Sequence, residues 1–177
     1  MTDPRDHITD EWLVLNARSG DRSAFQRLVD RWQKRLWHHA FRLCGDSDLA
    51  WDAVQDTWMS VARGIGRLGD VAAFRGWIYR IVSRRVADLA GRARRNPEPV
   101  TIEPAEIVPH DNDGVQDVRD ALARLPRERQ ALLALRYMEG FEVNEIAEIL
   151  GVAEGTVKSR LHRAREEMRT TLTRKKP

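Results

Sequence analysis

The stretch that decides the fold is "VNEIAEILGVAEGTVKSRL", residues 143–161. Small or apolar side chains recur in it at helical spacing, first at Ile146 and Ala147 and then from Val157 onward. Between the two runs stands Gly151, where the chain needs a residue that tolerates a left-handed turn. This arrangement predicts a helix-turn-helix, the motif whose second helix lies in the major groove of DNA.

The second helix of this motif has a polar outer face. Its inner stripe is Val157, Leu161 and Ala164, so the hydroxyl, imidazole and basic groups between them point outward. The residues that we expect to contact DNA are Thr156, Lys158, Ser159, Arg160, His162, Arg163 and Arg165. Side chains of these types read base edges, while flanking arginines hold phosphates. The alternative is a helical hairpin with a basic solvated face, but spacing, glycine position and charge all agree with a DNA reader.

Composition and charge distribution limit the class of protein. The chain has 177 residues, of which 42% are hydrophobic and 32% charged, which is typical of a globular chain with one or two small domains. The net charge is only +3, yet basic blocks at 84–95 and 154–177 flank an acidic block at 96–114. A single cysteine excludes an internal disulfide. Without a membrane-length apolar run or a signal peptide, we expect a cytoplasmic protein with no direct membrane insertion.

Helical periodicity without strand-like alternation predicts an all-α protein of two small domains. Residues 1–95 form a helical bundle, and residues 115–177 form a four-helix domain that contains the helix-turn-helix. Residues 96–114 hold four of the seven prolines and five acidic side chains, and they predict an extended acidic linker. The helices are expected at about 11–18, 25–44, 46–65, 73–89, 115–124, 127–138, 142–150 and 154–170.

An acidic stripe marks the second long helix. Asp48, Asp52 and Asp56 follow one another at four-residue spacing, with Gln55 beside them. Like charges at this spacing destabilise an isolated helix by a few tenths of a kcal/mol per pair. The stripe therefore favours a surface that faces a basic partner. The alternative is a solvated acidic face that the helix N-terminus helps to stabilise.

The helix after the glycine-bounded loop 64–72 combines aromatic and basic side chains. Its candidate nucleic-acid residues are Trp77, Tyr79, Arg80, Arg84 and Arg85. Aromatic rings can stack on unpaired bases, and arginines can contact backbone or bases. The alternative is that the two aromatic residues belong to the core.

The sequence contains no residue pattern that indicates an enzyme. It has no nucleophile–base pair and no glycine loop that would cradle a phosphate. His38, His39 and Cys44 lack the paired spacing of a metal site, so we expect no metal or other cofactor. Trp51 falls off the apolar stripe of its helix and is either a packing or a partner-facing residue.

Five segments carry a resemblance to a known family. "LARLPRERQALLALRYMEGF" and "EIAEILGVAEGTVKSRLHRARE" resemble the promoter-binding domain of bacterial extracytoplasmic-function (ECF) sigma factors. "GDRSAFQRLVDRW", "AWDAVQDTWMSVARGI" and "FRGWIYRIVSRRVADLAGRARR" resemble the N-terminal domain of the same family. The resemblance covers nearly the whole chain, in the family's order.

The resemblance implies a function and several site residues. The N-terminal domain is expected to dock on the clamp region of the polymerase β′ subunit, with Asp52, Gln55 and Asp56 at the family's D-x-x-Q-E/D positions. The 64–72 loop and the helix after it are expected to capture the −10 element, although Arg84 stands where the family commonly has Asn. The C-terminal domain is expected to bind the −35 element. An anti-sigma factor is implied as a further partner.

Two other functions remain open on the residues alone. A stand-alone helix-turn-helix repressor or activator would bind duplex DNA without needing the acidic stripe or the aromatic helix. A purely regulatory protein would bind polymerase, or sequester an anti-sigma factor, without starting transcription.

Overall fold

The computed structural model describes residues 4–95 and 113–174, with side chains for 8–92 and 117–173. Every regular element in these ranges is helical, which confirms the all-α prediction. The helices are α1 (Pro4–Arg18), α2 (Arg22–Cys44), α3 (Ser47–Gly64), α4 (Phe74–Arg95), α5 (Asp113–Ala123), α6 (Arg127–Leu133), α7 (Val143–Leu150) and α8 (Glu154–Arg174). A 3₁₀ turn, Ile65–Arg67, follows α3, and a π-helical stretch, Ala134–Met138, extends α6. None of the described helices combines the length and apolarity needed to cross a bilayer.

The ends of α2 and α3 follow from local capping. The Asp21 carboxylate accepts the backbone N–H of Ser23 at 2.8 Å and begins α2. Gly45 ends it in the left-handed region, with φ 76°, which a side chain would disfavour. Asp46, rather than Ser47, caps α3 by accepting the Leu49 N–H at 2.9 Å. Each such cap contributes about 1 kcal/mol to helix stability.

The N-terminal domain packs α1 to α4 around one tryptophan. Trp32 is 1% exposed, and its ring meets those of Phe74 and Tyr79 edge to face. Its indole N–H donates to the Asp10 carboxylate at 3.1 Å, and that carboxylate also pairs with Arg31 at 2.6 Å. The buried indole N–H therefore has an acceptor, which removes most of the cost of burying it.

The C-terminal domain forms the predicted helix-turn-helix from α7 and α8. Gly151 has φ 65°, and its N–H donates to the Ala147 carbonyl, as does that of Val152 at 3.0 Å. Ile146 and Val157 are both fully buried between the helices. The left-handed glycine turn predicted from the sequence is thus present, and it sets the crossing of α7 and α8.

The two domains pack directly against each other. Helix α4 contacts α7, and α2 contacts α6, so that buried apolar residues of both domains join in one continuous core. Residues 96–112 of the predicted linker lie outside the described residues. Helix α5 begins at Asp113, two residues before its predicted start at residue 115. The interdomain contact was not expected from the sequence.

Candidate functional site

Helix α8 presents the outward face that the sequence predicts. Lys158, Ser159, His162, Arg163 and Arg165 are all exposed. The opposite side is buried in the domain core, with Val157, Leu161 and Ala164 each at most 5% exposed. Because the inner stripe fixes the orientation of α8, these five side chains project from one helix face, as a groove-reading helix requires.

Two of the predicted α8 residues lie at the edge of this face. Thr156 and Arg160 are half-buried. The Arg160 guanidinium is 3.7 Å from the Glu128 carboxylate of α6, and it lines a cleft toward α4. Arg160 is therefore turned away from the exposed set and is partly neutralised within its own domain.

The acidic stripe forms an exposed face on α3. Asp48, Asp52 and Gln55 are exposed, whereas Asp56 is half-buried. The structure thus brings three of the four predicted docking residues together on open surface. Asp56 borders them.

Two apolar residues on the same α3 face were missed as a group by the sequence analysis. Trp51 is 43% exposed and Met59 is 51% exposed. Trp51 lies three residues after Asp48 and four before Gln55, so helical spacing places it within the acidic stripe. That spacing was the signal that could have identified it. Exposed aromatic residues and Met are enriched at protein-binding faces, and the surrounding acids favour a basic partner.

Trp51 also borders a notch on this surface. The notch has a volume of about 360 Å³ and is lined by Trp37, Trp51 and His38 together with Gln33 and Lys34. The two indole rings are 6.0 Å apart and tilted by 37°. Burial, reinforced by Arg42 and Lys34, lowers the pKa of His38 and so favours its neutral form. The notch, which two indole rings line, can thus accept an apolar side chain beside the acidic stripe.

Trp77, at the start of α4, packs on the loop that precedes the helix. It is half-buried, and a Cβ added at Gly64 would lie 3.0 Å from its ring. The ring therefore approaches the Gly64 backbone so closely that a side chain there would require the ring to shift. This contact joins the predicted aromatic residue to the glycine-bounded loop while leaving part of the ring accessible.

Tyr79 departs from the expectation that it presents its ring to bases. It is fully buried, in edge-to-face contact with His39 at 5.0 Å and Phe141 at 5.2 Å. Burial, together with the charge of Glu139, raises the pKa of Tyr79 well above its ordinary value. The expectation was wrong for this arrangement because α4 is buried on two sides, by the bundle and by the C-terminal domain. Periodicity within one domain cannot show the second contact.

The three arginines of α4 have different surroundings. Arg80 is ion-paired with Glu148 of α7. Arg84 is exposed and lines the cleft of about 650 Å³ between α4 and the helix-turn-helix. Arg85 is half-buried and donates to the Ser60 hydroxyl at 3.0 Å. Of the predicted −10 residues, Arg80 and Arg84 are exposed in this arrangement, and Arg80 is held in the ion pair with Glu148.

His39, which the sequence analysis weighed as a metal ligand, is part of the core. Its Nε2 lies 2.9 Å from the Ser83 hydroxyl, and the side chain is 2% exposed. Burial, with a smaller contribution from Arg42, lowers its pKa to about 3. Cys44, beyond it on α2, donates to the Ala40 carbonyl at 3.2 Å. The bond between His39 and Ser83 joins α2 to α4, whereas the Cys44 bond lies within α2.

A helix-turn-helix with an exposed basic reading face defines the chain as a DNA-binding protein, and comparison with known proteins gives its family. Residues 28–96 match sigma-70 region 2, and residues 116–168 match sigma-70 region 4. The ECF RNA polymerase sigma factor SigM of Mycobacterium tuberculosis is 35% identical over 93% of this chain and 85% of its own length. The ECF RNA polymerase sigma-E factor of Haemophilus influenzae is 31% identical over 91% of this chain and 94% of its own length. The chain belongs to the ECF sigma factors of the sigma-70 family.

Solved structures support the same assignment. CnrH, solved in complex with the cytosolic domain of CnrY, is 25% identical, with a TM-score of 0.64 over 94% of this chain and 99% of CnrH. The sigma factor RpoE of Bartonella quintana, solved with the anti-sigma factor NepR, is 28% identical. Its TM-score is 0.65 over 84% of this chain and 96% of RpoE. The all-α architecture is thus that of solved sigma factors.

Proposed function

We propose that this chain is an alternative sigma factor that docks on core RNA polymerase and directs it to promoters with matching −10 and −35 elements. The exposed α3 face binds the clamp region of the β′ subunit. Helix α4 with its preceding loop handles the −10 element, and α8 reads the −35 element. The protein itself catalyses no reaction, uses no cofactor and acts in the cytoplasm.

The observation that carries this proposal is the α3 face. Asp48, Trp51, Asp52 and Gln55 are exposed together on one side of the helix, remote from the α8 reading face in sequence and in domain. A stand-alone helix-turn-helix regulator needs only a DNA-binding face. A second surface of acidic and aromatic side chains indicates a protein partner with complementary basic charge.

The direction of each side chain on α8 determines whether it can contact base edges or phosphates. Lys158, Ser159, His162 and Arg163 project from the centre of the exposed face and are placed to meet base edges. Arg165 lies at the edge of this face, where a guanidinium group meets phosphates, and Arg160 joins it once its ion pair with Glu128 opens. Lys158 lies 3.5 Å from Glu154, an exposed ion pair that DNA phosphates can displace.

Recognition of the −10 element rests on Trp77 with Arg84 and Arg85. Trp77 keeps part of its ring accessible at the glycine-bounded loop, where an unpaired base can stack. Arg84 is exposed further along the same helix. Arg80 joins this set when its ion pair with Glu148 opens, whereas Tyr79 is packed against Trp32 and His39 inside the bundle.

We also infer an anti-sigma partner for this chain. The related sigma factor RpoE has been solved in complex with an anti-sigma factor. In this chain, the cleft between α4 and the helix-turn-helix has an apolar floor that includes Val86, Leu132 and Ile149. A partner segment bound between the domains would hide both DNA-binding faces at once.

Run-off transcription with purified core polymerase is the first test. A sigma factor produces promoter-specific transcripts, a stand-alone regulator binds duplex DNA without core, and a purely regulatory protein binds core without any transcript. Failure to produce transcripts from a library of bacterial promoter sequences would overturn the proposal.

The docking surface is tested separately by a core pull-down. Asp52→Lys combined with Gln55→Ala reverses charge and removes an amide at the centre of the α3 face, and we expect it to weaken core binding. Asp30→Lys is the matched control, because Asp30 is equally exposed but lies on α2. Wild-type core affinity of the double variant would show that α3 is not the docking face.

A further inference from the structure

One side of α4 carries a row of exposed polar side chains. Arg80, Arg84 and Asp88 are all exposed, and each lies four residues after the one before it, so they share one side of the helix. The half-buried Trp77 lies seven residues before Arg84 and therefore about two turns away on the same side. The opposite side of α4 is buried in the bundle, with Ile78, Val82 and Val86. The packing of α4 thus fixes the direction in which this row points.

Arg84 differs from the arginines around it because its guanidinium has no partner. Arg80 is ion-paired with Glu148, and Arg85 donates to a hydroxyl of α3 at 3.0 Å. Two glutamates, Glu128 and Glu148, line the cleft beside Arg84, and each is paired with another arginine. Among the residues that the structure describes, none forms an ion pair or a hydrogen bond with the Arg84 side chain. Its five N–H donors are therefore available to a ligand.

Asp88 affects which ligand the free guanidinium of Arg84 can bind. Its exposed carboxylate lies one turn after Arg84 on the same side of α4. A phosphate that approached Arg84 there would also meet this negative charge, whereas the edge of a base is uncharged. The position of Asp88 thus favours contact with a base over contact with the DNA backbone. Among the bases, guanine offers an arginine two acceptors, O6 and N7, for a bidentate contact.

The distance between Trp77 and Arg84 determines which base Arg84 can reach. An α-helix rises about 1.5 Å per residue, so seven residues separate the two side chains by about 10 Å along α4. Nucleotides of a stacked strand follow one another at about 3.4 Å. A strand that lies along this side of α4 therefore brings to Arg84 the base that is about three nucleotides from the one at Trp77.

We propose that Arg84 determines part of the −10 specificity by selecting guanine about three nucleotides from the base that stacks on Trp77. This inference rests on the proposed sigma-factor function, in which α4 handles the −10 element. Stacking on Trp77 tolerates any base and sets the register of the strand. The free guanidinium of Arg84 then supplies the selectivity.

Transcription by holoenzyme from a library of promoters randomised across the −10 element tests the selectivity. The wild-type chain should prefer guanine at one position by between about fivefold and 150-fold over the other bases. Arg84→Gln should change the preference at that position to adenine, because an amide makes its bidentate contact with adenine N6 and N7. Arg84→Ala should abolish the preference at that position.

Arg92→Gln is the matched control. Arg92 is exposed and lies eight residues after Arg84 on α4. The variant removes the same positive charge and should leave the base preference unchanged. If Arg84→Gln instead weakens transcription equally on all sequences, Arg84 contacts only the backbone and the inference is wrong.

Abasic nucleotides placed at each position of the −10 element test the spacing. The position at which an abasic site reduces open complex in the wild type, but not in Trp77→Ala, marks the base that stacks on Trp77. We expect the guanine selected by Arg84 to lie about two to four nucleotides from this position. An adjacent position, a separation of roughly six nucleotides or more, or the lack of any position that depends on Trp77 would overturn the proposed register.

The outcomes separate this inference from the proposed function. If the wild-type chain with core polymerase gives no transcript from any member of the library, the sigma-factor proposal and this inference both fail. If it transcribes without a base preference that depends on residue 84, the sigma-factor proposal stands and only this inference is wrong.

Discussion

The Tyr79 ring of the N-terminal domain and the Phe141 ring of the C-terminal domain meet edge to face, with centroids 5.2 Å apart. Such an aromatic pair contributes about 0.5–1.5 kcal/mol beyond the area that it buries. Arg75, stacked on the other side of the contact, adds roughly 0.5–2 kcal/mol as a cation–π interaction. These contributions are small enough for a tightly binding partner to overcome, yet they join two domains that the sequence presents as separate.

Trp51→Ala should weaken core binding by about 2 kcal/mol, roughly thirtyfold, because exposed tryptophans at interface centres contribute strongly to affinity. The residue is 43% exposed, so the variant should fold normally. Trp51→Phe should retain part of the affinity. Titration of fluorescently labelled chain with core polymerase measures the change. Trp12→Ala, on α1 and 52% exposed, is the control; equal losses from Trp12 and Trp51 would argue against a specific role for the notch.

Trp77→Ala should leave closed-complex formation intact and reduce open complex on duplex promoters. Stacking on an unpaired base contributes about 1–3 kcal/mol, so the loss should lie between fivefold and 150-fold. Pre-melted templates should restore activity, and permanganate footprinting follows the opening. Circular dichroism checks whether the variant folds. A variant that unfolds would show that Trp77 is a packing residue, held against Gly64, rather than a residue that stacks on bases.

Arg163→Ala and Lys158→Ala should relax the preference at one or two −35 positions, because a bidentate side-chain–base pair contributes about 1–3 kcal/mol of discrimination. Selection from a library of −35 variants with holoenzyme measures the preference. Unchanged base preference in both variants would mean that α8 is not the reader.

Arg165→Ala should instead weaken binding about equally on all sequences. The slope of log affinity against log salt concentration should fall by the amount that roughly one phosphate contact contributes. The measurement is holoenzyme affinity over a range of salt concentrations. Arg160→Ala should give a smaller loss than Arg165→Ala, since Arg160 is already 3.7 Å from the Glu128 carboxylate. A larger loss from Arg160 would show that this ion pair breaks on DNA.

His39 should make the protein less stable in mild acid. Its folded-state pKa is about 3, below the ordinary value of 6.5, so the unfolded chain binds a proton that the folded chain does not. The free energy of unfolding therefore falls as pH drops below about 6.5, by about 2 kcal/mol between pH 7 and pH 5. Urea unfolding at several pH values measures it.

His39→Leu supplies the check on that prediction. It removes the titrating group and should flatten the dependence between pH 7 and pH 5, although it also leaves the Ser83 hydroxyl without its partner at 2.9 Å. The exposed His162→Ala should keep the wild-type slope. An unchanged slope in His39→Leu would assign the acid sensitivity to other groups.

The sequence predicts the helices and the α8 face well because these depend on local patterns. Gly151 and the inner stripe of α8 are enough to place Lys158 and Arg163 outward. The surroundings of Tyr79 could not be predicted in the same way, since its ring packs on Trp32 and His39 of α2 and also on Phe141, which lies 62 residues later in the chain. Trp51 was recognised as off the apolar stripe, but its exposure beside a notch depends on the packing of α2 against α3.

The continuous core has a consequence for how this chain can vary. Tyr79 and Phe141 fill space for each other, and Gly45 leaves the room that Arg127 occupies. A smaller residue at Tyr79 or Phe141 therefore leaves a void on the other side of this seam, whereas a side chain at Gly45 would displace the flexible Arg127 guanidinium. A chimaera that joins the N-terminal half of this chain to the C-terminal half of a relative should keep both DNA preferences, yet lose the fit between the halves. We therefore expect the two halves to read DNA independently, although they pack against each other in the folded chain.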